Sequence, residues 1–231
     1  MEYNLSDNIE VQSLELFKVH KGLQLIEEDG SICIKGSLPF SATLYGTCPI
    51  VDCYNIKIHI PTDYPNKPPT TTECDGRIPR TFHTNPDGTL CLGSPLEVRM
   101  KFKGSLLNYV QKLIIPFLYS FSFYEKYGKL PYGELSHGSL GIVESYKELF
   151  GVSDSKIVLG LLNILARGKY RGHHDCPCGS KKRLRNCHGS QLLDLMNYQS
   201  KDEFMFDLNQ CFSVIRKGRD RSVSNQYSRK S

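Results

Sequence analysis

The sequence lacks any long uninterrupted apolar segment and any export signal. Its most apolar stretch, Leu106 to Tyr124, is interrupted by Lys112 and Pro116, which predicts a core helix and argues against a membrane-spanning one. The first seven residues have neither a basic start nor an apolar run, so no signal peptide is predicted. We therefore expect a cytoplasmic protein that has no membrane partner.

The cysteines do not form the even, regularly spaced set of a disulfide scaffold. The chain has nine of them, and an odd number without an export signal is typical of reduced thiols. Five are scattered singly and are predicted to be packing residues: Cys33, Cys48, Cys53, Cys74 and Cys211. Cys91 and the group Cys176, Cys178 and Cys187 require separate explanations.

Tryptophan is also absent, but hydrophobic residues make up 39% of the chain, as in an ordinary globular protein. A length of 231 residues suits one good core with a small appended module. The net charge of +5 is uneven: residues 167–189 contain seven basic residues and one acid, and residues 216–231 contain six and one. The N-terminal part of the chain is mildly acidic and the C-terminal part is basic.

Apolar periodicity predicts a helix followed by an antiparallel meander. Val11, Leu14 and Phe17 recur at helical spacing, and the predicted helix continues over residues 23–26 until Gly30. Segments rich in β-branched and apolar residues then predict strands at 32–34, 40–44, 50–60 and 70–74. Four prolines in residues 61–69 predict a stiff loop between the last two strands.

Helical patterns fill the following part of the chain, so the predicted fold class is α+β. They cover residues 106–127, 141–150 and 154–166. Ser105 is the predicted N-cap of the first, and Ser153 or Asp154 that of the third. Pro116 is expected to kink or break the first.

A short segment raises a question of chemistry, because the turn Asn85-Pro86-Asp87-Gly88 leads within three residues to Cys91. Together with Tyr64-Pro65-x-x-Pro68-Pro69 and with His83 two residues before Asn85, this segment resembles the ubiquitin-conjugating (UBC-like) enzymes. In that family a Tyr-Pro-x-x-Pro-Pro loop follows the third strand, and a His-Pro-Asn tripeptide precedes the catalytic cysteine by the same interval. The resemblance covers roughly residues 10–125.

The resemblance implies a function and roles for three residues. Cys91 would carry the C-terminus of a ubiquitin-like protein as a thioester, accepted from an activating enzyme and passed to an amine on a protein target. The Asn85 amide would stabilise the thioester oxygen or order the loop, and His83 would organise the loop through hydrogen bonds. The turn at Asp87-Gly88 would bring Asn85 back beside the sulfur. Bacterial relatives with this layout often act in antiphage defence.

The sequence departs from the family pattern in three ways. Thr84 stands where the family has proline, and the tryptophan that many relatives carry after the cysteine is missing. The family's acidic residue that deprotonates the incoming lysine has no clear match. Glu97, Glu134 and His137 are candidates by proximity in sequence alone.

Other interpretations of Cys91 stay open. It could be a buried thiol between Leu90 and Leu92, which would leave a catalytically inactive binding module with a UBC-like fold. A papain-like hydrolase would place its cysteine at a helix N-terminus, whereas here Ser94-Pro95 is predicted to break the chain. Retention of a cysteine at the carrier position favours the enzyme, because inactive members of the fold usually replace it.

A second motif predicts a structural zinc site. Cys176, Cys178, Cys187 and His188 provide three thiolates and one imidazole, a closed tetrahedral set for Zn²⁺, and Pro177 and Gly179 allow the tight turn between them. The spacing resembles the SEC-C motif, which is appended to many bacterial proteins. His173 and His174 could compete as ligands, but solvated side chains are favoured.

The basic residues around this motif fit either phosphate or a protein partner. Because Tyr170 is the only aromatic residue among them, base stacking has little support and a protein partner is favoured over RNA or another nucleic acid. We predict a UBC-like domain in residues 1–152, a helix plus zinc knuckle in 153–189, and a helical extension with a basic flexible tail in 190–231.

Overall fold

The computed structural model describes residues 5–44, 46–131 and 139–227. The chain forms two compact units, Met1–Glu134 and Leu135–Ser231. The first combines a four-stranded antiparallel sheet with helices, which confirms the α+β class. The second consists of helices and the cysteine-rich segment. Helix α5, Ser139–Phe150, therefore belongs to the second unit, whereas the predicted boundary after residue 152 would have assigned it to the first.

The N-terminal helix α1 spans Leu5–Val19 and ends earlier than predicted. Its buried side chains lie on the face that includes Ile9 and Leu16, whereas Val11 and Leu14 are 67% and 63% exposed. The predicted apolar face was therefore wrong for Val11 and Leu14, whereas Phe17 is partly buried and packs against the core. Residues 23–26, predicted as part of this helix, lie instead in the first strand.

Strands β1 to β4 pair in sequence order as an antiparallel meander. They span Leu23–Glu28, Ser31–Ala42, Ile50–His59 and Thr70–Glu73. Residues 32–34 and 40–42 are both in a strand, as predicted, but they belong to the single strand β2, so the predicted division into two strands was wrong. Gly36 lies in the middle of β2 and has a φ of +144°. A Cβ on this residue would lie 2.1 Å from the carbonyl oxygen of Gly22, just before β1, so only glycine allows the two segments to approach this closely.

The core of the first unit lies on one face of this sheet. In the register of β2 and β3, Ile34 faces Ile58 and Leu38 faces Tyr54, and all four side chains are buried. Along β3, the buried Tyr54, Ile56 and Ile58 alternate with more exposed residues, as expected of a strand with one face on the core. The covering helices are α2 (Pro95–Phe102), α3 (Leu106–Tyr109) and α4 (Ile115–Tyr127).

The predicted disturbance at Pro116 takes a specific form. Residues Val110–Ile114 form a π-helical segment between α3 and α4, and Pro116 lies in the first turn of α4. Proline has no amide hydrogen to donate, so the helical hydrogen-bond pattern changes just before it. The predicted N-cap Ser105 accepts a hydrogen bond from the Asn108 amide at 3.2 Å.

The second unit contains α5, α6 (Ser155–Arg167), α7 (Gly189–Leu195) and α8 (Lys201–Tyr227). Of the two predicted caps, Asp154 caps α6 by accepting from the Lys156 amide. The apolar side of α6 is buried, with Leu161 and Leu165 fully covered. Helix α8 includes residues 216–227, a stretch that was predicted as flexible tail.

No single helix in the described ranges is long and apolar enough to cross a membrane. Residues Gly141–Phe150 and Ser155–Arg167 reach that length and composition only as a pair, with a bend of 83° between them.

Candidate functional site

A small β-hairpin positions Cys91. The Cys91 amide donates to the His83 carbonyl at 2.8 Å, and the Asn85 amide donates to the Thr89 carbonyl at 2.8 Å. Thr84 and Leu90 form the antiparallel bridge between these two bonds. The hairpin therefore places His83 opposite Cys91, and Asn85 opposite Thr89.

The turn of the hairpin uses the predicted residues. The Gly88 amide donates to the Asn85 carbonyl at 2.9 Å, and Gly88 adopts a φ of +88°, a conformation that strongly favours glycine. The Asp87 carboxylate accepts from both the amide and the hydroxyl of Thr89. These hydrogen bonds lower the pKa of Asp87 below its usual value.

The hairpin is fixed to the core at both ends. The Leu90 amide donates to the Thr71 carbonyl of β4 at 2.7 Å, and the Leu90 side chain is buried. At the other end, Phe82 packs against α4, with its ring centroid 4.8 Å from that of Phe121. The loop around the cysteine is therefore held between the sheet and α4.

The Asn85 side chain braces the hairpin from within. Its amide nitrogen donates to Thr89 Oγ1 at 2.9 Å and, at 3.5 Å, to the carbonyl of Leu90, the residue before the cysteine. Thr89 is buried and was not identified from the sequence, although Asp87-x-Thr89 after a turn is a recognisable side-chain hydrogen-bonding pattern. The contacts of Asn85 thus reach the peptide adjacent to Cys91.

His83 has an unusual backbone conformation. Its φ is +42°, which is uncommon for a residue other than glycine. Its ring lies edge-on to Phe82, with centroids 5.1 Å apart. Its carbonyl holds the Cys91 amide, so it acts on the cysteine through the backbone.

Cys91 is exposed, unlike its neighbour Leu90. Helix α2 begins four residues later at Pro95, with Ser94 as its N-cap. The predicted chain break at Ser94-Pro95 was therefore wrong, because proline is well tolerated in the first turn of a helix. The cysteine precedes the cap by three residues and so does not occupy the helix N-terminus.

Of the three residues considered for deprotonating the incoming amine, only Glu97 lies in the part of the chain that the structure describes. The Glu97 carboxylate accepts from the amide and hydroxyl of Ser94 at 2.9 and 3.0 Å and completes a capping box with the N-cap. Glu134 and His137 lie outside the described residues. Glu97 is thus assigned a structural role in α2.

The proline-rich loop is anchored by its tyrosine. Tyr64 is buried, donates a hydrogen bond to Gln12 Oε1 of α1, and packs its ring 5.8 Å from that of Phe102 in α2. The Leu106 amide donates to the same Gln12 oxygen at 2.9 Å. One glutamine therefore joins α1, the proline-rich loop and the start of α3.

A second cysteine lies near a histidine but in a different environment. Cys33 Sγ is 3.8 Å from His59 Nδ1, and His59 Nε2 is 3.3 Å from Thr72 Oγ1. Cys33 is 1% exposed, and burial raises its pKa while lowering that of His59. The Cys33 thiol therefore favours its protonated form, which is not the nucleophilic one.

The four predicted metal ligands are brought together in the second unit. Their ligand atoms all lie within 4.8 Å of one another. Cys176 Sγ is 3.2 Å from His188 Nδ1, and Cys178 Sγ is 3.4 Å from Cys187 Sγ. The Cys176 amide binds the Lys182 carbonyl, and the Gly179 amide binds the Cys176 carbonyl, which curls the chain around the cluster.

The histidine of this cluster is oriented by the fold. His188 Nε2 lies 3.0 Å from the Phe150 carbonyl at the end of α5. If Nε2 carries the proton and donates it to that carbonyl, Nδ1 is left as a lone-pair donor facing the thiols, as in many metal sites. The sequence offered no signal for this contact, since a backbone carbonyl 38 residues away is not a motif.

The thiols of the cluster differ in how readily they ionise. Burial raises the pKa of Cys176 to about 11. Burial also opposes ionisation of Cys178, but hydrogen bonds from Ser180 and the neighbouring thiols outweigh it and lower its pKa to about 6. Three sulfurs and one imidazole nitrogen at these distances suit a tetrahedral metal ion, whose ligand atoms lie about 3.5 Å apart. The cluster can therefore hold a metal ion.

Comparison with known proteins gives limited information. No protein-family model matches the chain, and no curated protein matches it either. Among solved structures, the chain is similar to the yeast vps23 UEV domain crystallised in complex with a vps27 PSDP peptide. The sequences are 17% identical, the TM-score is 0.35, and the match covers 50% of this chain and 82% of that domain.

Proposed function

We propose that this protein is a UBC-like acyl carrier that holds a ubiquitin-like protein as a thioester on Cys91 and transfers it to an amine of a protein target. The observation that carries the proposal is the exposed Cys91 at the end of a braced hairpin whose opposite strand provides His83 and Asn85. The element order and the anchored Tyr64 loop support it. The bacterial origin and antiphage setting implied by the resemblance remain part of the proposal.

The chemistry proceeds in two exchanges. In the first, the Cys91 thiolate attacks the carbonyl carbon of the thioester on the activating enzyme, a new C–S bond forms, and the enzyme's thiolate leaves. In the second, a neutral amine attacks the Cys91 thioester, an amide C–N bond forms, the Cys91 thiolate leaves, and the amine releases one proton to the solvent. Exposure of Cys91 is required for both, because each brings a protein to the sulfur.

Asn85 and His83 would support the transfer in different ways. A neutral amide close to the peptide preceding the cysteine can stabilise the negative charge that develops on the thioester oxygen, or hold the loop in shape. The hydrogen bonds from Asn85 to Thr89 and Leu90 support the second role directly. His83 would maintain the backbone geometry through its carbonyl.

The metal proposed for the second unit is Zn²⁺, bound by Cys176, Cys178, Cys187 and His188. When bound, it would link the knuckle residues to α7, whose N-cap is His188. Four protein ligands leave no open coordination position, so its role would be structural. The Phe150 carbonyl would hold the imidazole in place.

A loading assay tests the proposal. The protein is incubated with ATP and with the activating enzyme and ubiquitin-like protein encoded beside it, and the products are run on a non-reducing gel. We expect an adduct that a thiol reagent removes and that Cys91→Ala abolishes. Cys48→Ser, at another exposed cysteine, should load like the parent. No adduct, or equal loading of Cys91→Ala, would refute the proposal.

A second candidate function is a binding module without transfer activity. The observation that favours it is the use of Glu97 in the capping box, since this candidate for deprotonating the amine is occupied by a structural role. Under this alternative the chain would bind its partner non-covalently, and Cys91→Ala would bind as well as the parent in the absence of any adduct.

A further inference from the structure

Exposed cations surround the metal-binding segment of the second unit. We call them the basic surface: Arg167, Lys169, Arg171, Lys181, Lys182, Arg183 and Arg185. All seven are exposed, and none forms an ion pair with any residue that the structure describes. Asp175 is the only acid between the first and the last of them. The positive charge of this surface is therefore not neutralised within the described part of the chain.

Backbone hydrogen bonds bring two basic segments of this surface together, one before and one after the cysteine pair Cys176 and Cys178. Asp175 and Arg183 form an antiparallel bridge. Next to it, the Leu184 amide donates to the His174 carbonyl at 2.8 Å, and the Arg185 amide to the Gly172 carbonyl at 3.1 Å. These bonds bring Lys182, Arg183 and Arg185 beside the chain that follows Arg171. Clustered charges of one sign create a strong local potential that attracts polyanions.

The sequence favoured a protein partner for these residues, but the burial pattern of the segment reverses that preference in favour of nucleic acid. No large hydrophobic side chain in residues 167–187 is exposed. Protein interfaces have an apolar centre that is depleted in lysine, whereas contacts to nucleic-acid phosphates are made chiefly by lysine and arginine. A lysine- and arginine-rich surface without apolar residues therefore matches phosphate better than it matches a protein.

The single tyrosine of this segment, which has no phenylalanine or tryptophan, is engaged in the fold. The Tyr170 hydroxyl lies so close to Gly189 that a Cβ on that glycine would be 2.5 Å from it. Binding of single strands usually requires stacking on unpaired bases, and residues 167–187 offer no free tyrosine, phenylalanine or tryptophan for it. The exposed rings of His173 and His174 lie edge to face with each other, with centroids 4.6 Å apart. Contacts to phosphates alone give binding that does not depend on sequence.

We propose that the basic surface binds the phosphate backbone of a nucleic-acid duplex without sequence preference. This inference does not depend on thioester chemistry at Cys91, since the residues concerned all lie in the second unit. Its failure would leave the proposed function untouched.

Fluorescence anisotropy of the full-length, metal-loaded protein with labelled DNA and RNA duplexes of about 20 base pairs tests the inference. Between about 50 and 200 mM salt we expect binding to weaken with a log–log slope of roughly −4 to −6, because about five to seven phosphates would be neutralised. Two unrelated duplex sequences should bind within about twofold of each other. Binding of DNA alone or of RNA alone would still support the inference and would identify the duplex.

A matched pair of variants localises the binding. Replacing Lys181, Lys182, Arg183 and Arg185 by glutamine should weaken binding at least about tenfold at low salt and reduce the slope by about three to four. The control variant replaces four exposed cations of the first unit by glutamine: Lys21, Lys35, Lys67 and Arg80. It removes the same four positive charges, and its affinity for the duplex should stay within about twofold of that of the parent. If the first variant loses its metal, the pair Lys169→Gln and Arg171→Gln replaces it, with a loss of about threefold expected.

Three results would overturn the inference. One is the absence of duplex binding at about 50 mM salt. The second is equal binding by the basic-surface variants and the parent. The third is a loss that occurs only when the C-terminal residues Lys217, Arg219 and Arg221 are replaced by glutamine.

Discussion

The reactivity of a cysteine depends on its surroundings, as Cys91 and Cys33 show. Cys91 is exposed at the end of a hairpin, whereas Cys33 is buried beside His59. Because burial raises the pKa of Cys33, its thiol stays protonated at neutral pH even though a histidine lies nearby. A cysteine–histidine pair alone therefore does not indicate a reactive thiol, because the Cys33 pair is buried.

Asn85 provides the first prediction at the residue scale. Asn85→Ala removes the amide that contacts Thr89 and Leu90, so we expect transfer from the loaded protein to free lysine to slow about 100-fold while loading persists. Thr89→Val, which removes one acceptor of this amide, should slow transfer by a smaller factor of about ten because Asn85 becomes less well positioned. Single-turnover discharge of the loaded protein measures both rates.

The control for this prediction is Asn197→Ala, at an exposed asparagine of the second unit, which should discharge at the parent rate. Discharge of Asn85→Ala at the parent rate would contradict the role given to this amide.

Asp52 gives a prediction on pH. Burial of Asp52 disfavours its charge, but hydrogen bonds from Arg77, Ser122 and the Cys53 amide outweigh burial and lower its pKa to about 2. Because the folded pKa is below the usual 3.8, the ionised group stabilises the fold above pH 4. This contribution is lost as the pH falls toward 2.

We therefore expect Asp52→Asn to lower the free energy of unfolding by about 1–2 kcal/mol at pH 7, a figure reduced for partial solvent screening. The difference from the parent should shrink when urea unfolding is repeated at about pH 3. Asp63→Asn, at an exposed aspartate, should have little effect at either pH. A difference that is the same at both pH values would contradict the assignment.

At the scale of elements, periodicity located most helices and strands, and it gave the buried face of β3 but not that of α1. The alternation from Tyr54 to Ile60 and the helix caps Ser105 and Asp154 were predictable because each depends on local chemistry. The exposed face of α1 and the identity of β1 were not predictable. A short apolar run such as residues 23–26 fits either structure, and only pairing with β2 decides between them.

In the candidate site, too, features that depend on local chemistry were predictable from the sequence, and features that depend on tertiary contacts were not. The turn Asn85–Gly88 was predictable from residues that adopt turns, and the metal cluster from ligand spacing. The capping box of Ser94 and Glu97 was missed, because Ser94-Pro95 was interpreted as a break although both residues favour helix starts. The contact of His188 with the Phe150 carbonyl depends on tertiary structure alone.

The capping box gives a prediction for helix α2. Ser94→Ala removes the side chain that accepts from the Glu97 amide, and we expect a loss of about 1 kcal/mol in the free energy of unfolding. Glu97→Gln should keep the parent rate of transfer to lysine, since glutamine can also complete a capping box. Urea unfolding and discharge kinetics measure the two effects. A large drop in the transfer rate of Glu97→Gln would instead make Glu97 the base for the incoming amine.

At the scale of the whole molecule, metal binding should stabilise the second unit. We expect about one equivalent of zinc per chain, and a lower unfolding midpoint for α5–α8 after chelation, because four ligands tie residues 176–188 together. His188→Ala should lose metal and destabilise the unit, whereas His174→Ala, at an exposed histidine outside the cluster, should retain it. Metal analysis and hydrogen exchange report the two quantities.

The absence of metal from the purified protein, or an unchanged midpoint in His188→Ala, would contradict the structural role of this cluster.

The central claim is that Cys91 carries an acyl group on its sulfur. Its most direct test is mass spectrometry of the protease-digested protein after incubation with its activating enzyme, ATP and the ubiquitin-like protein. We predict a peptide containing Cys91 that carries the C-terminal residues of the ubiquitin-like protein, that is one water lighter than the two parts together, and that thiol treatment cleaves. An unmodified Cys91 peptide, with modification elsewhere or nowhere, would contradict the account.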